Sequence, residues 1–593
     1  MENAEIAKVL REMGDILEIK GADSFKIRAF QNAARSIEFA AEEVFSLYQK
    51  EGLKGLMKIP GIGQGIAERV EELLKKGKLA EFEQLKGKIP KGELEITTIP
   101  GIGPKLAKRL YQKLKTKSID DLEKKLQKIS PDKLSGIHLK EKSIAKILKG
   151  IAVLRKVSGR KVLPFAEPIA REIVEKLKSR PEVRKADVVG SLRRWKETVG
   201  DIDIIAASKK PRETIEFFVK LPFWSEILAK GDTKATVVHQ EGIQVDLEIL
   251  PRQKYGSLLQ HFTGSKEHNV ALRIWAEKRG FSVSEHGIKI TQNLKLKSQN
   301  YNLKLKTFKK EKLILCSTEE EVYKTLGMDW IPPELRENQG EIEAALKHNL
   351  PNLIQQKDIK GDLQMHTNWT DGKSTIEEMA KEAKKMGYQY IAITDHSKGL
   401  SIAHGLDGKK ILKQIEEIRK AEKKIGGIKI LAGTEVNINA DGSLDHLDKT
   451  LEKLDVVIAA VHSSLEQSRE KMTKRVLSAL RNPNVDILAH PSARLLGRRD
   501  EIEIDLEAVF REAAKNKVIL EINAFPDRLD LKDVYIMEAQ KFGCKFIINT
   551  DSHHTSHLKL MRYGVAQARR GWLEKKDVLN TLGLNELLKR WKR

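Results

Sequence analysis

Cysteine is almost missing from this chain: 593 residues hold Cys316 and Cys544 alone. Two distant thiols exclude a disulfide framework and leave no Cys-x-x-Cys zinc motif. Long apolar runs are missing too. None reaches bilayer-crossing length, and the opening MENAEIAKVLREMGDILEIKG reads as a charged amphipathic helix, not a signal peptide. Together these absences lead us to expect a cytoplasmic protein. Acidic balance is the third thing lacking. Lys and Arg number 108 against 84 Asp and Glu, giving a formal charge of +24 and a pI near 9.5. Such a surplus points to a polyanionic partner, because cationic side chains that neutralise phosphates release condensed counterions. Charge alone leaves DNA, RNA and an anionic membrane open. The length fits roughly three to five domains.

What is present is most informative between Val189 and Ile205, VGSLRRWKETVGDIDII. Asp201 and Asp203 are two apart in a strand-like run, so both carboxylates point to one face. Two such charges side by side call for a cation between them. Gly190 lets backbone N–H groups approach an anion, and the Ser191 hydroxyl adds a donor. A phosphate cradle beside a metal-binding carboxylate pair fits nucleotidyl transfer. A third carboxylate is then expected on a neighbouring strand, and Ile243 to Leu250 supplies Asp246. Phe262-Thr263-Gly264-Ser265 follows, then Asn269 and Arg273 on an expected helix.

Two near-copies occupy the first quarter: Lys58 to Arg69 (KIPGIGQGIAER) and Thr98 to Arg109 (TIPGIGPKLAKR). Each reads as a Pro-Gly-x-Gly turn opening a helix. Glycine permits the tight hairpin and bares N–H groups at the helix N-terminus, where a phosphate can dock. These are helix-hairpin-helix motifs, which hold the backbone without reading bases. Gly61, Gly63, Gly65, Gly101, Gly103 and Lys105 are the expected DNA contacts. From Lys105 to Lys149 there are fourteen Lys and Arg against five Asp and Glu, consistent with a DNA-facing segment.

In that order, GS, GDID, VDLEIL and FTGS closely resemble the palm and thumb of family X DNA polymerases, the group that includes DNA polymerase beta. The resemblance implies that Asp201, Asp203 and Asp246 hold Mg²⁺ or Mn²⁺. Gly190, Ser191 and Arg194 would neutralise the triphosphate, and Gly200 would keep its approach open. Phe262, Gly264, Asn269 and Arg273 would lie near the incoming nucleotide and the nascent pair. The first hairpin motif would hold the downstream side of a gap and the second the primer side.

Beyond Trp330-Ile331-Pro332-Pro333 the composition changes, and residues 362–593 carry nine of the fifteen histidines. Strand-like runs repeatedly end in a metal-competent residue: Gln364 and His366, Asp395-His396, Glu435, His462, His490, then Asp551 and His553. Alternating strands and helices with chemistry at the strand ends is the layout of a parallel β/α barrel. The segment resembles a PHP (polymerase and histidinol phosphatase) domain, and the whole chain resembles bacterial family X polymerases that end in one. That resemblance implies up to three ions, Mn²⁺ or Zn²⁺, held by Gln364, His366, Asp371, His396, Glu435, His462, His490, Asp551 and His553. Glu435 would bridge two of them; mixed imidazole–carboxylate ligation suits Mn, Zn or Fe. PHP proteins usually begin with His-x-His, and Gln364 replaces the first, a poorer ligand. His404, His446, His554 and His557 are read as surface or supporting residues.

The expected fold is multidomain, α+β and α/β. It comprises an N-terminal helical domain over 1–90, a second helical DNA-binding domain over 91–159 and a nucleotidyltransferase palm over 160–255. A thumb over 256–330, a linker over 331–355 and a distorted β/α barrel of PHP type over 356–593 complete it. The expected function is template-directed filling of short DNA gaps in base excision repair. A metal-dependent 3′→5′ exonuclease, with 3′-end processing and abasic-site cleavage, is expected in the PHP domain. Expected partners are gapped or primed duplex DNA and dNTPs, with no membrane, and the protein is expected to be a monomer. The alternatives are a DNA-tethered PHP phosphoesterase and a non-catalytic DNA-binding scaffold. Some family X members form a Schiff base with 5′-deoxyribose phosphate through a lysine, and that position is Arg69 here. A guanidinium forms none at neutral pH, so little lyase activity is expected unless Lys58, Lys75 or Lys76 substitutes.

Overall fold

The computed structural model describes residues 3–38, 44–127, 160–291, 312–399 and 404–591, less positions 60, 88, 98, 100, 101 and 117. It also describes Ile144, Ile147, Leu148, Ile151 and the short strands at 294–295 and 307–308. The chain divides into two compact units. One holds residues 1–158, 355–565 and 576–593; the other holds 159–354 and 566–575.

The first unit begins with helices Asn3–Ile19, Ser24–Glu38, Val44–Met57 and Gln64–Lys76. Their apolar faces, with Ile6, Leu10, Phe30, Ile37, Val70 and Leu73, meet in one core. The near-copies of the sequence fold alike. Gly63 and Gly103 are extended N-cap residues, before helices Gln64–Lys76 and Pro104–Leu114. Before each, a turn closes with Ile62 N donating to Ile59 O and Ile102 N to Ile99 O, at 3.1 and 3.0 Å. Neither glycine has a neighbour within 4 Å of where a Cβ would stand. A polyanion can therefore reach the bare backbone there.

The same unit continues as seven parallel strands in chain order, from Gly361–Asp362 to Phe546–Asn549. Helices such as Ile376–Lys385, Gly408–Ile425 and Leu506–Asn516 intervene. Thr375 caps the first with a reciprocal Glu378 box. A parallel bridge between Met365 and Ser552, with His366 N donating to Ser552 O at 2.7 Å, brings the first and last strands together. The result is a nearly closed barrel whose core includes Leu363, Ala392, Leu431, Ile458 and Ile547. Its strands are buried along their length, which is why they read as near-continuous apolar runs.

In the second unit, five strands form a sheet in the order Val183–Val188, Asp201–Ser208, Gln244–Ile249, Lys234–His239, Trp224–Lys230. The pairing of Asp201–Ser208 with Gln244–Ile249 is parallel and sets Asp203 opposite Asp246. Helices Tyr255–Thr263 and Lys266–Glu277 follow, then the hairpin of Phe281–Ser284 and Gly287–Ile290. The stretch 331–355 is packed structure rather than a free tether. Ile331, Leu335, Ile342, Ala345 and Leu353 are buried in one core with Leu272, Phe281 and Tyr323. Residues 566–575 belong to this unit as well: Leu573 O accepts from Ile354 N at 3.0 Å, and Glu574 accepts from Asn352 N at 2.8 Å.

Two candidate metal centres and two candidate DNA-binding hairpins

In the sheet of the second unit, carboxylate oxygens of Asp201, Asp203 and Asp246 all lie within 4.8 Å of one another. Burial, then Asp201 and Asp246, pushes Asp203 up to about 7, and burial with Asp246 raises Asp201. Clustered like charges with too little counter-charge are a site for a divalent cation. Asp246 is held in place by Thr236, whose hydroxyl donates to it, and by Gln244 Nε2 at 2.6 Å. Gly190 has a φ of +64°, and a Cβ there would collide with the Asp203 carboxylate. Only glycine lets the turn pass so close to the triad. Gly200 lies beside Arg160, whose Nη1 is 3.4 Å from the position of an added Cβ. Ser191 sits in the short helix Gly190–Arg193 that follows the turn.

Arg194 donates to Thr263 O, and its Nε donates to Glu337 at 3.0 Å. Glu337 also meets Lys196 at 3.7 Å and Arg570 at 3.1 Å, and Arg570 Nη1 donates to Arg194 O at 2.8 Å. Arg193 makes a two-pronged pair with buried Glu319, which is shared with fully buried Arg336. Burial would raise Glu319, but Arg336 and Arg193 hold it at about 2. Sequence reading missed Glu319, Glu337 and Arg570, which lie 126 or more positions from Arg193 and Arg194. Gly264, at φ +69°, stands next to Arg194. Asn269 donates to His261 O at 2.7 Å, and Arg273 meets His261 Nδ1 at 2.9 Å. The Lys234 ammonium lies 6.0 Å from the Phe262 ring centroid. The expected nucleotide-contacting residues thus surround the loop after helix Tyr255–Thr263.

At the strand ends of the barrel, Glu435 is the hub. Its carboxylate lies 3.0 Å from His490, 3.1 Å from His462, 3.2 Å from His396 and 3.4 Å from His366. Asp551 meets His366 at 3.1 Å, and Asp371 lies 3.5 Å from His553 and 3.7 Å from His396. Three ligand groups overlap here: His366, Asp371, His396 and His553; His396, Glu435 and His462; His366, Glu435 and Asp551. Burial opposes charge throughout, yet His462 beside it and the hydrogen bonds from His462 and His490 keep Glu435 well below the usual carboxylate range. Burial and His366 lower His396 to about 3, so that imidazole is neutral and free to ligate. The Nδ1 atoms of His462 and His490 are buried without a hydrogen-bond partner. Donor type, spacing and these bare nitrogens fit a cluster of divalent metal ions. His553 Nδ1 donates to Asp551 O at 2.7 Å, which leaves Nε2 as the nitrogen turned to the cluster.

Gln364 stands apart. Its amide faces Glu521, with the NH₂ side towards the carboxylate. Glu521 also accepts from His490 N and Asn549 Nδ2, both at 2.9 Å, and burial raises it well above its ordinary value. Sequence reading passed over Glu521; its signal was a strand, Ile519–Asn523, that ends in polar residues like its neighbours. His554 and His557 line the same cavity as the cluster but belong to none of the three ligand groups. His404 and His446 are also outside them.

In the first hairpin, Arg69 donates to Glu81 at 2.8 Å and Gly65 O at 2.6 Å. Lys75 and Lys76 pair with Glu71 and Glu72, and Lys58 with Glu51. Gly101 of the second motif lies outside the described residues; Lys105 is exposed in the first turn of its helix.

Fold and site together define a nucleotidyltransferase joined to a PHP barrel. Residues 1–79 match the helix-hairpin-helix domain family, 93–152 the SAM-like helix-hairpin-helix tandem, 258–337 the DNA polymerase beta thumb and 362–525 the PHP domain. The chain is 36% identical over 99% of both lengths to the DNA polymerase/3′-5′ exonuclease PolX of Bacillus subtilis. It therefore belongs to the bacterial family X DNA polymerases that carry a C-terminal PHP domain. Over 30% of its length it is 32% identical to a probable phosphatase of Acetivibrio thermocellus, covering 73% of that protein. A probable phosphatase of Thermoanaerobacter sp. is 32% identical over 37% of this chain and 90% of its own.

Proposed function

We propose that this protein is a DNA-directed DNA polymerase that fills short gaps during base excision repair and trims 3′ ends with its barrel. The observation that carries the reading is the triad of Asp201, Asp203 and Asp246 on two parallel-paired strands, against the Gly190 turn. Divalent ions, Mg²⁺ or Mn²⁺, would supply the charge that stabilises the attacking 3′ oxygen and the leaving pyrophosphate. The chain's own part is to hold them through three carboxylates, with Thr236 and Gln244 fixing Asp246. Gly190, Ser191 and Arg194 take the triphosphate. Arg194 must exchange its bond with Glu337 for a phosphate oxygen, an exchange between two anions that keeps the guanidinium paired. The two hairpins hold the DNA backbone through bare amides, so gapped or primed duplex is the fitting substrate, with the protein acting as a monomer in the cytoplasm.

In the barrel, bound Mn²⁺- or Zn²⁺-class ions would supply hydroxide near neutral pH and clamp a phosphodiester. Glu435 holds the cluster's centre, and Asp551 and Asp371 orient its imidazoles. The same chemistry serves exonuclease action, 3′-end processing and abasic-site cleavage. Among the described residues no helix is long and apolar enough to cross a membrane.

A gapped duplex supplied with each dNTP tests the polymerase. Incorporation should follow the template base and vanish with Asp203→Asn. In that same variant, a 5′-labelled strand should still shorten with Mn²⁺ and stop shortening when Glu435→Ala is added. Non-templated or absent incorporation would leave the DNA-tethered phosphoesterase as the better reading.

A further inference from the structure

Within the first unit, a cavity of about 400 Å³ stands over the barrel's metal cluster, and the barrel supplies only part of its wall. Asp371, His396, Glu435, His462 and Asp551 form its floor. The rest of the lining includes Asn32 and Ser36 of helix Ser24–Glu38, Leu47 of helix Val44–Met57, and Lys58 and Ile59 in the turn after it. Asn32 and Ser36 are four apart in helix Ser24–Glu38 and so share a face. The turn of the first hairpin approaches the barrel directly. A Cβ added to Gly61 would lie 3.7 Å from each of Asn32 Cβ, Ser36 Oγ and Lys373 Cε. Lys373 follows Asp371 by two residues and lines the same cavity.

We infer that the N-terminal helical domain forms the upper wall of the barrel's substrate site and holds the terminal nucleotide of a DNA strand there. The inference rests on the proposed phosphodiesterase activity of the barrel and adds to it a second wall. A volume of this size lies in the range of pockets that take one small ligand. Its two kinds of surface match a nucleotide. Leu47 and Ile59 above and Phe525 below offer apolar area for a base or sugar. The cluster takes the scissile phosphate, and Lys58 and Lys373 stand where the next phosphate of the strand would pass. The Lys58 pair with Glu51 is exposed, so its exchange for a phosphate costs little. Asn32 and Ser36 add uncharged donors to the same edge. A hairpin that binds backbone phosphate is thereby part of a nuclease site, in addition to any grip on a gap.

Photocrosslinking tests this without relying on turnover. Full-length Glu435→Ala protein is irradiated with a single strand carrying 4-thiothymidine at its 3′ end, and adducts are mapped by mass spectrometry. Adducts on peptides spanning residues 32–36 or 47–59, as well as on barrel peptides, are expected. Adducts confined to the barrel would overturn the inference. As a second arm, Asn32→Glu/Ser36→Glu places negative charge on the wall and should raise KM for 3′ trimming about tenfold while kcat stays within about twofold. An unchanged KM, or faster trimming, would mean that the domain stands clear of the site or obstructs it. Circular dichroism and primer extension on a template without a downstream strand check that the variant is folded. If the wild-type protein fails to hydrolyse bis(p-nitrophenyl) phosphate with Mn²⁺, the phosphodiesterase reading itself fails, independently of where the adducts fall.

Discussion

The palm and the barrel each gather acidic side chains, and they balance that charge in opposite ways. In the palm three carboxylates face one another with little cationic help, so burial and mutual repulsion raise Asp203 to about 7. In the barrel every carboxylate of the ligand groups is set against imidazoles, and Glu435 is held low despite complete burial. The palm triad is short of positive charge, which a divalent cation would supply. The barrel's carboxylates are matched by neighbouring imidazoles instead. A centre that must load a nucleotide–metal complex in each cycle gains from the first design, and a resident cluster gains from the second.

The sharpest way to break this comparison is to disable one centre and watch the other. Asp203→Asn or Asp246→Asn should lower dNTP incorporation on the order of 10²–10³-fold or more while leaving 3′ trimming intact. Glu435→Ala should do the reverse. Any variant that abolishes both activities while the protein stays folded would show that the centres are not independent.

Thr236→Val removes a hydroxyl that fixes Asp246 and leaves the triad in place. The half-saturating Mg²⁺ concentration for incorporation should rise about 10–100-fold, as for other supporting residues of metal sites. Unchanged Mg²⁺ dependence would mean that Asp246 needs no such support.

The pH dependence should separate the two centres further. Asp203 keeps its proton up to about pH 7 when no cation competes for it. Below that pH a divalent ion must displace the proton, so its apparent affinity for the palm should fall about tenfold per unit; above it the affinity should level off. Titrating Mg²⁺ from pH 6 to 8 in a single-turnover assay reads this directly. The same shift acts on stability. A carboxylate raised above its unfolded value destabilises the fold once pH passes that unfolded value, and the penalty is complete above pH 7. Asp203→Asn should therefore raise the unfolding free energy of metal-free protein at pH 8 by on the order of 1–3 kcal/mol, with no gain at pH 4.

The smallest expected effect concerns Gln364. Gln364→His would offer an imidazole beside Glu521, a carboxylate able to orient it. The Mn²⁺ requirement for trimming should then drop by roughly 3–10-fold. No change in metal dependence would indicate that position 364 lies outside the cluster.

Much of this was legible in the chain because the chemistry sits on short local patterns. Asp201 and Asp203 share a face by strand periodicity alone, and Asp246 needs only one further strand. The barrel's candidate ligands announce themselves as polar residues ending buried apolar strands. The twin hairpins were readable because one turn type demands the same glycines twice. What stayed hidden depends on residues far apart in sequence. Nothing local in Glu319 reveals that two arginines will bury it, and Glu521 resembles any strand-end carboxylate until Gln364 is brought against it. The packing of 331–355 was hidden for another reason. Its prolines and polar residues have the composition of a tether, whereas Ile331, Leu335 and Ile342 fill a core.

Arg570 joins Glu337 and the backbone of Arg194, yet it is encoded some 370 residues after the strand that carries Asp203. The order of synthesis therefore matters. The ribosome makes the triad, the Gly190 turn and the thumb long before it makes Arg570, so the contacts around Arg194 are complete only when the barrel strands have already emerged. A gene cut after residue 354 would encode Asp201, Asp203 and Asp246 and still omit Arg570. The chain thus returns to its second unit, at residues 566–575, after the barrel strands are built, and a simple cut between palm and barrel severs that unit.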